Sequence, residues 1–272
     1  MYIINQSSLI AQFLYNTKIG KHTAIIYLVG LPDKEDIRTN SNMVNELLAE
    51  SDTYRDLAIT DNVDVYNNLT LKTIAAFDWA RRFCPEADFL LKTDDDMFIQ
   101  IKRLLALTRG LRASTASPNG IIVGNVAAGW KPVRNPQSKY YITHEQYAEN
   151  NYPPFETGPS YLVSRPAFDL LHQAAMNRPF FHLEDVFITG IVAESVDVPR
   201  RLAIEFRNNA TPIPVRFLGC TLTKTISIHK VKPEEQAELA RMTKDPQCGK
   251  RKNSPIHYRK IQSGAMNAKI LR

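Results

Sequence analysis

Residues 89–99 read Phe-Leu-Leu-Lys-Thr-Asp-Asp-Asp-Met-Phe-Ile, an apolar run closed by three consecutive aspartates. Phe89, Leu90 and Leu91 predict a buried strand, and Met97, Phe98 and Ile99 resume apolar character at once. Asp94, Asp95 and Asp96 therefore sit where a strand leaves the core. Like charges held this close repel, and one carboxyl is driven toward its neutral form unless a cation intervenes. A hard divalent cation relieves the repulsion, and such ions commonly bridge a protein carboxylate to substrate phosphates. The plainer alternative is an acidic turn.

Strands and helices alternate around this segment, with no internal repeat. Ala24 to Val29 is an apolar run closed by Gly30 and Leu31-Pro32-Asp33, which predicts a strand and a turn. Residues 34–50 predict an amphipathic helix with Ile37, Val44, Leu47 and Leu48 on its apolar face, and Leu57-Ala58-Ile59 a short strand. From Asn68 to Phe83, Leu71, Ile74, Ala75 and Trp79 recur at helical spacing, and Pro85 stops the helix. A helix is expected near 101–109, ended by Gly110, and then a strand over Ile121 to Val126. Residues 127–160 are polar and rich in Pro, Tyr and Asn, a loop length that is usually functional in a compact domain. Tyr161 to Ser164 predicts a strand, Pro166 opens a helix running to Met176, and Glu184 to Ser195 predicts a further helix led by acids. This order implies an α/β fold with a largely parallel sheet, in which ligands bind beyond the carboxyl ends of the strands.

At 272 residues, with 44% apolar and 23% charged side chains, the chain suits one large globular domain or two fused halves. No run approaches the ~18 apolar residues of a membrane span. The opening Met-Tyr-Ile-Ile-Asn-Gln-Ser-Ser lacks the basic start of a signal peptide. Much of the net charge of +6 is local: residues 241–272 hold nine Lys or Arg against one acid, Asp245. That end reads as a solvated basic tail, and no nucleic-acid partner is expected. Cys84, Cys220 and Cys248 allow at most one disulfide and lack metal-ligand spacing. Asn5, Asn68 and Asn209 each head an Asn-x-Ser/Thr sequon, close to the roughly two that chance supplies.

Two further segments carry chemistry. Tyr152-Pro153-Pro154-Phe155-Glu156-Thr157-Gly158-Pro159-Ser160-Tyr161 packs aromatics, prolines and a glycine together. Aromatic faces suit sugars or a nucleobase, and Gly158 permits close backbone approach; a proline-stiffened connector with core aromatics has the same composition. Glu184-Asp185-Val186-Phe187 places two acids before an apolar helix, either as a capping pair or as a general base at a helix mouth. His229, in Ser-Ile-His-Lys, follows an alternating strand and can complete a metal shell or stand as an ordinary histidine.

Four blocks, in order, carry a family resemblance: Tyr54-Arg55-Asp56-Leu57 through Tyr66-Asn67-Asn68-Leu69-Thr70-Leu71-Lys72-Thr73; Lys92-Thr93-Asp94-Asp95-Asp96; Tyr152-Pro153-Pro154-Phe155 to Tyr161; and Glu184-Asp185-Val186-Phe187. Over roughly residues 24–232 the chain resembles the β-1,3-galactosyltransferase and β-1,3-N-acetylglucosaminyltransferase family, glycosyltransferase family thirty-one, relatives of the Fringe enzymes. The resemblance implies a GT-A fold, with a donor half over about 24–100 and an acceptor half over about 101–232. It implies a UDP-sugar donor, a glycan acceptor on glycoprotein or glycolipid, Mn²⁺ as cofactor and inversion at the anomeric carbon. It also implies a Golgi membrane protein with a lumenal catalytic domain, held by a short N-terminal anchor that this sequence does not contain. On the matching positions, Asp96 resembles the principal metal ligand and His229 the distal one. Lys92, Asp94 and Asp95 fall in the donor-binding block, and Asp185 resembles the catalytic base. Tyr152, Pro154, Phe155, Gly158, Tyr161 and Glu184 fall in the acceptor or donor pocket, and Asn68 where the family often carries a glycan. The chemistry agrees, since transfer to a sugar hydroxyl needs a base opposite the leaving UDP and a cation against the diphosphate.

The chain departs from the family pattern in three places. Family members begin the domain with an apolar strand followed by an Arg-rich segment ending near a Thr-Trp pair, and neither is legible before Ala24. Residues 1–23 thus read as an atypical N-terminal segment, and residues 233–272 as a basic tail outside the transferase domain. Ser160 stands where the family generally has a second glycine, and Thr189 reads as an insertion after Glu-Asp-Val-Phe. The implied activity is metal-dependent, inverting β-1,3-hexosyl transfer. The missing strand leaves a second reading open, a catalytically silent relative that binds glycans or partner transferases. A metal-dependent phosphohydrolase is disfavoured because no second acidic cluster offers a two-metal site.

Overall fold

A computed structural model describes residues 2–5, 23–39, 41–114, 117–208 and 218–244. The main sheet has seven strands in the order β3-β2-β1-β4-β7-β6-β8. These are β1 (Tyr2–Asn5), β2 (Ala24–Leu31), β3 (Leu57–Val63), β4 (Phe89–Thr93), β6 (Ile122–Ala127), β7 (Phe155–Ser164) and β8 (Arg200–Leu202). Only β7 runs against its neighbours, pairing antiparallel with β4 and β6, so the expected α/β fold with a mostly parallel sheet is observed. A second sheet, β5-β10-β9, places β10 (Ser227–His229) between β5 (Met97–Ile99) and β9 (Phe206–Arg207).

Helices cover both faces of the main sheet, and β4 (Phe-Leu-Leu-Lys-Thr) is buried throughout for that reason. On one face α3 (Leu69–Phe83) and α5 (Arg165–Met176) bury Phe77, Ala80, Phe168 and Leu171 against Leu90 and Val163, with the Phe77 and Phe168 rings stacked at 6.1 Å. On the other, α4 (Ile101–Ser114) buries Leu104 and Leu111 against Phe89, Leu91 and Leu162.

The structure corrects several boundaries. The first strand does exist: Tyr2–Asn5 lies in the middle of the sheet, in parallel register with Ala24–Tyr27 on one side and Leu90–Thr93 on the other. Four residues carry too little periodicity to read, and pairing on both sides defines them. The helix expected over 34–50 is two, α1 (Lys34–Thr39) and α2 (Met43–Tyr54), with a turn at Ser41-Asn42, residue types that favour caps over helix interiors. Gly110 does not end α4. A glycine costs about 1 kcal/mol in a helix, whereas burying the next residue, Leu111, to 2% exposure is worth about 2 kcal/mol, so packing prevails.

Strand β7 starts at Phe155, not Tyr161, and shortens the loop before it to residues 128–154. That loop is tied to itself by Arg134, which donates to the carbonyls of Ile142 (2.8 Å), Thr143 (2.7 Å) and Tyr147 (2.7 Å). The transferase domain also does not stop at Val231-Lys232. Helix α6 (Pro233–Met242) packs the fully buried Leu239 against Phe98 and Ile228, and Gln236 donates to the Met97 carbonyl at 3.2 Å. Asn209, Cys248 and the basic tail beyond Lys244 lie outside the described residues.

Candidate active site

The antiparallel pairing of β7 with β4 makes the site. Thr93, the last residue of β4, is in register with Ser160, so the first half of β7 lies alongside the aspartate triplet. The Asp94 N–H donates to the Pro159 carbonyl at 2.9 Å. Lys92 points into the same corner, only 2% exposed, and donates to Asp94 Oδ1 at 2.5 Å and to the Gly158 carbonyl at 2.7 Å. Its Nζ is also 3.6 Å from Glu184 Oε2, and the other Glu184 oxygen accepts from the Tyr161 hydroxyl. Burial alone pushes an ammonium toward its neutral form, but the carboxylates of Asp94 and Glu184 outweigh it and keep Lys92 protonated. Burial raises the Glu184 carboxyl to about 7, with Lys92 pulling it back and Asp185 pushing it further up. The Asp94 carboxyl is likewise raised by burial against the pull of Lys92.

Asp185 is held by both of its oxygens. Oδ2 accepts the Gly158 N–H at 2.9 Å and Oδ1 accepts the Val186 N–H at 2.8 Å. The Val186 bond is a local one to the next residue's amide in the first turn of the helix, and the Gly158 bond comes from a strand 27 residues away in sequence. Each oxygen keeps lone-pair capacity for a further donor. Burial raises the Asp185 carboxyl above the ordinary aspartate range, and the two backbone N–H groups and Lys92 offset part of the rise. A carboxylate more basic than a free aspartate and fixed at two points is chemically suited to accept a proton from a hydroxyl.

The helix behind Asp185 is π-helical over Val186–Val192, followed by one α turn, Ala193–Ser195. A helix takes up an extra residue by widening a turn, which fits the apparent insertion at Thr189. The Thr189 hydroxyl donates to the Asp185 carbonyl at 2.6 Å, and receives the Glu156 N–H of β7 at 2.8 Å. Thr189 thus braces Asp185 against β7.

Asp96 and His229 meet at one end of the small sheet. The antiparallel register pairs His229 with Met97, which puts His229 Nε2 3.2 Å from Asp96 Oδ2. The His229 contact holds the Asp96 carboxyl below the ordinary range, against the upward push of burial. Asp96 Oδ1 is buried and has no hydrogen-bond partner among the described residues. Also among the described residues, no group of three or more His, Cys, Asp or Glu forms a complete metal cage. One carboxylate and one imidazole, with an unpartnered oxygen, fit a cation that takes its remaining ligands from substrate phosphates.

The predicted aromatic platform is corrected. Tyr152, Phe155 and Tyr161 are 6%, 2% and 0% exposed; the Tyr152 ring packs among Tyr147, Phe155 and Phe181, and the Tyr161 ring lies beneath Lys92 Nζ at 6.0 Å, so no face is open to a sugar. Pro154 lies at the surface, while Gly158 serves Asp185: a Cβ there would come within 3.1 Å of Asp185 Oδ2. Asp95 is half-buried in the turn between β4 and β5. Asn68 precedes α3 with its amide donating to the Val63 carbonyl, and the sequon's Thr70 is buried with its hydroxyl on the Phe181 carbonyl at 2.7 Å.

Three contributions left no signal in the sequence. Lys72 is 1% exposed and pairs at 2.9 Å with both oxygens of Asp64, which in turn accepts the Gly30 N–H. Lys139, from the 128–154 loop, lies over the rings of Tyr66 (4.8 Å) and Tyr140 (4.9 Å). Asn208 joins β7 to the small sheet. In each, one contact (Gly30–Asp64, Tyr66–Lys139, Thr157–Asn208) joins residues too distant in sequence for any spacing rule to connect.

The sequence model of the galactosyltransferase family matches residues 12–203. The chain belongs to the galactosyltransferase family. It is 32% identical to human β-1,3-galactosyltransferase 5 over 79% of its own length and 65% of that protein, and 32% identical to mouse β-1,3-galactosyltransferase 1 over 81% and 63%. The chain therefore spans about two thirds of the length of these family members. Among solved structures, a glycosyltransferase involved in glycosylation of the major capsid of PBCV-1 aligns over 87% of this chain and 98% of its own at a TM-score of 0.41 and 12% identity, too loose a likeness to bear on the site.

Proposed function

We propose that this galactosyltransferase-family chain transfers a hexose or N-acetylhexosamine from a UDP-sugar to the 3-hydroxyl of a glycan acceptor, with inversion to a β-1,3 linkage. Galactose is the first donor sugar to test, since family members it resembles at 32% identity are β-1,3-galactosyltransferases. The observation that carries the reading is Asp185, fixed through both oxygens and linked by Gly158 and Lys92 to the aspartates that close β4. In this reading Asp185 takes the proton of the acceptor 3-hydroxyl as its oxygen bonds to the anomeric carbon. The bond from that carbon to the diphosphate breaks, and UDP leaves from the opposite face. Lys92 stays protonated and holds Asp94 and Gly158 in place beneath Asp185.

Asp96 and His229 are the residues that would hold Mn²⁺, and the unpartnered Asp96 oxygen supports this. The ion supplies positive charge against the diphosphate leaving group. Asp94 and Asp95 are the donor-side carboxylates. The catalytically silent alternative loses its main support, because Tyr2–Asn5 fills the strand position that had looked empty.

The reading places the domain in the Golgi lumen, acting on glycoprotein or glycolipid, with membrane attachment through an N-terminal anchor. Among the described residues no helix is long and apolar enough to cross a membrane. The test is incubation of the full chain with Mn²⁺ and UDP-galactose, UDP-N-acetylglucosamine or UDP-N-acetylgalactosamine, each with β-linked acceptors, and NMR of the product linkage. A β-1,3 product that disappears with EDTA is expected. Absence of transfer from every donor, or a retained α-linkage, would refute it.

A further inference from the structure

Asn208 follows β9 and is 6% exposed. Its Nδ2 donates to the Thr157 carbonyl at 3.1 Å, the Thr157 hydroxyl at 3.2 Å and the Ser160 carbonyl at 2.8 Å. The Ser227 hydroxyl, on β10, lies 3.4 Å from its Oδ1. One carboxamide thus grips the β7 segment on either side of Gly158 and rests on the strand that carries His229. That segment is where the rest of the site is hung: Gly158 N–H on Asp185, Gly158 carbonyl on Lys92, and Pro159 carbonyl on the Asp94 amide. Strand β9 pairs with β10 and β10 with β5, which follows Asp96 directly. The two carbonyls and the hydroxyl around Nδ2 all point at a donor, and an apolar side chain of the same size would leave them unsatisfied in a buried place.

We propose that Asn208 is a positioning residue, its carboxamide locking the Thr157–Ser160 segment to the small sheet and so setting Asp185 relative to the Asp96–His229 pair. The inference deepens the transferase reading and rests on Asp185 as the base. It predicts a defect in turnover rather than in donor binding, since among the described residues the Asn208 side chain bonds to Thr157, Ser160 and Ser227 and not to the aspartate triplet.

Asn208→Asp is the sharpest probe, because it keeps the shape and replaces the donating amide with an acceptor facing two carbonyl oxygens. Asn208→Ala removes the grip altogether, and Asn208→Ser restores one donor. Turnover is expected to fall about tenfold or more in Asn208→Asp and Asn208→Ala, with the KM for UDP-sugar within about twofold of wild type and partial recovery in Asn208→Ser. Leu111→Ala, a core truncation on the far helix, controls for lost stability and should keep wild-type turnover at a matched fall in melting temperature.

A second readout is independent of activity: amide exchange by NMR at Gly158 and Asp94 should speed up at least about tenfold in Asn208→Asp and Asn208→Ala but not in Leu111→Ala. Wild-type turnover in Asn208→Asp, or an equal loss in Leu111→Ala, would overturn the proposal. So would unchanged exchange at Gly158. If the wild-type chain transferred no sugar at all, the transferase reading would fall by itself, and the Gly158 exchange rates would still decide whether Asn208 holds Asp185 in place. Should Asn208→Asp not fold, Asn208→Ala and Asn208→Ser carry the same expectations.

Discussion

Asp185→Asn keeps the side chain's shape but not its hydrogen bonds. The carboxylate accepts one backbone N–H on each oxygen, from Gly158 at 2.9 Å and Val186 at 2.8 Å. An amide offers one oxygen and one NH₂, so either orientation turns a donor against one of those N–H groups. A hydrogen bond to a charged group contributes about 1.5–3 kcal/mol, and the variant loses one of the two. Against a global stability of about 5–15 kcal/mol, that loss lowers the melting temperature without unfolding the chain at 25 °C. Removal of a general base lowers turnover by about 10²–10⁴, equivalent to roughly 3–5 kcal/mol of barrier. Initial rates at saturating donor and acceptor, with calorimetry of UDP binding on the same preparation, separate the two effects. The expected result is a turnover lower by two orders or more with donor affinity within a few-fold of wild type. Wild-type turnover in Asp185→Asn would place the base elsewhere and refute the assignment.

Asp96→Ala removes the carboxylate of the Asp96–His229 pair, and Mn²⁺-dependent UDP affinity measured by calorimetry should fall at least about tenfold; affinity indifferent to both this change and EDTA would dismiss the metal site. Gly158→Ala forces a Cβ to within 3.1 Å of Asp185 Oδ2, so the carboxylate must shift by a few tenths of an ångström. Turnover should drop about tenfold with little change in melting temperature, and an unaffected rate would mean that the Gly158–Asp185 contact does not orient the base. Glu156 is fully buried, its oxygens are unpartnered among the described residues, and burial raises its carboxyl to about 8 against the lesser pull of Arg200 and the Arg201 amide. It is neutral in the folded protein and ionised in the unfolded chain above pH ~4.5, so stability should decline as pH rises from about 4.5 to about 8. Glu156→Gln should flatten that decline by up to a few kcal/mol, at ~1.4 kcal/mol per pKa unit; denaturant melts of both proteins at pH 5, 6.5 and 8 that run parallel would contradict it. Asn68 should carry a glycan when the protein is expressed through the secretory pathway of animal cells, added before α3 packs because the sequon's Thr70 is buried in the fold; glycosidase digestion and mass mapping that find it bare would count against a lumenal location.

Local periodicity made β2, β4, β6, α3 and α5 readable, because each buries a stripe or a run whose repeat is written into adjacent residues. Placing Asp94, Asp95 and Asp96 beyond a buried strand, and Asp185 at a helix mouth, followed from the same short-range pattern. Tertiary structure alone decided the rest. Tyr2–Asn5 is a strand because two neighbours pair with it, and Gly110 stays helical because Leu111 has a core to enter. Tyr152, Phe155 and Tyr161 have the composition of a sugar platform, yet the fold closes over them, while Lys139 of the loop before them is carried onto Tyr66 and Tyr140. Most decisively, the second hydrogen bond of Asp185, the charges around Lys92, the Asp96–His229 contact and the grip of Asn208 span from 2 to 133 residues of sequence, 2 for Lys92–Asp94 and 133 for Asp96–His229. Asp185, Lys92, Asp96 and His229 were legible one by one and Asn208 was not, but the distances among them are set by the antiparallel turn of β7 against β4 and by the small sheet, which no window of neighbouring residues contains.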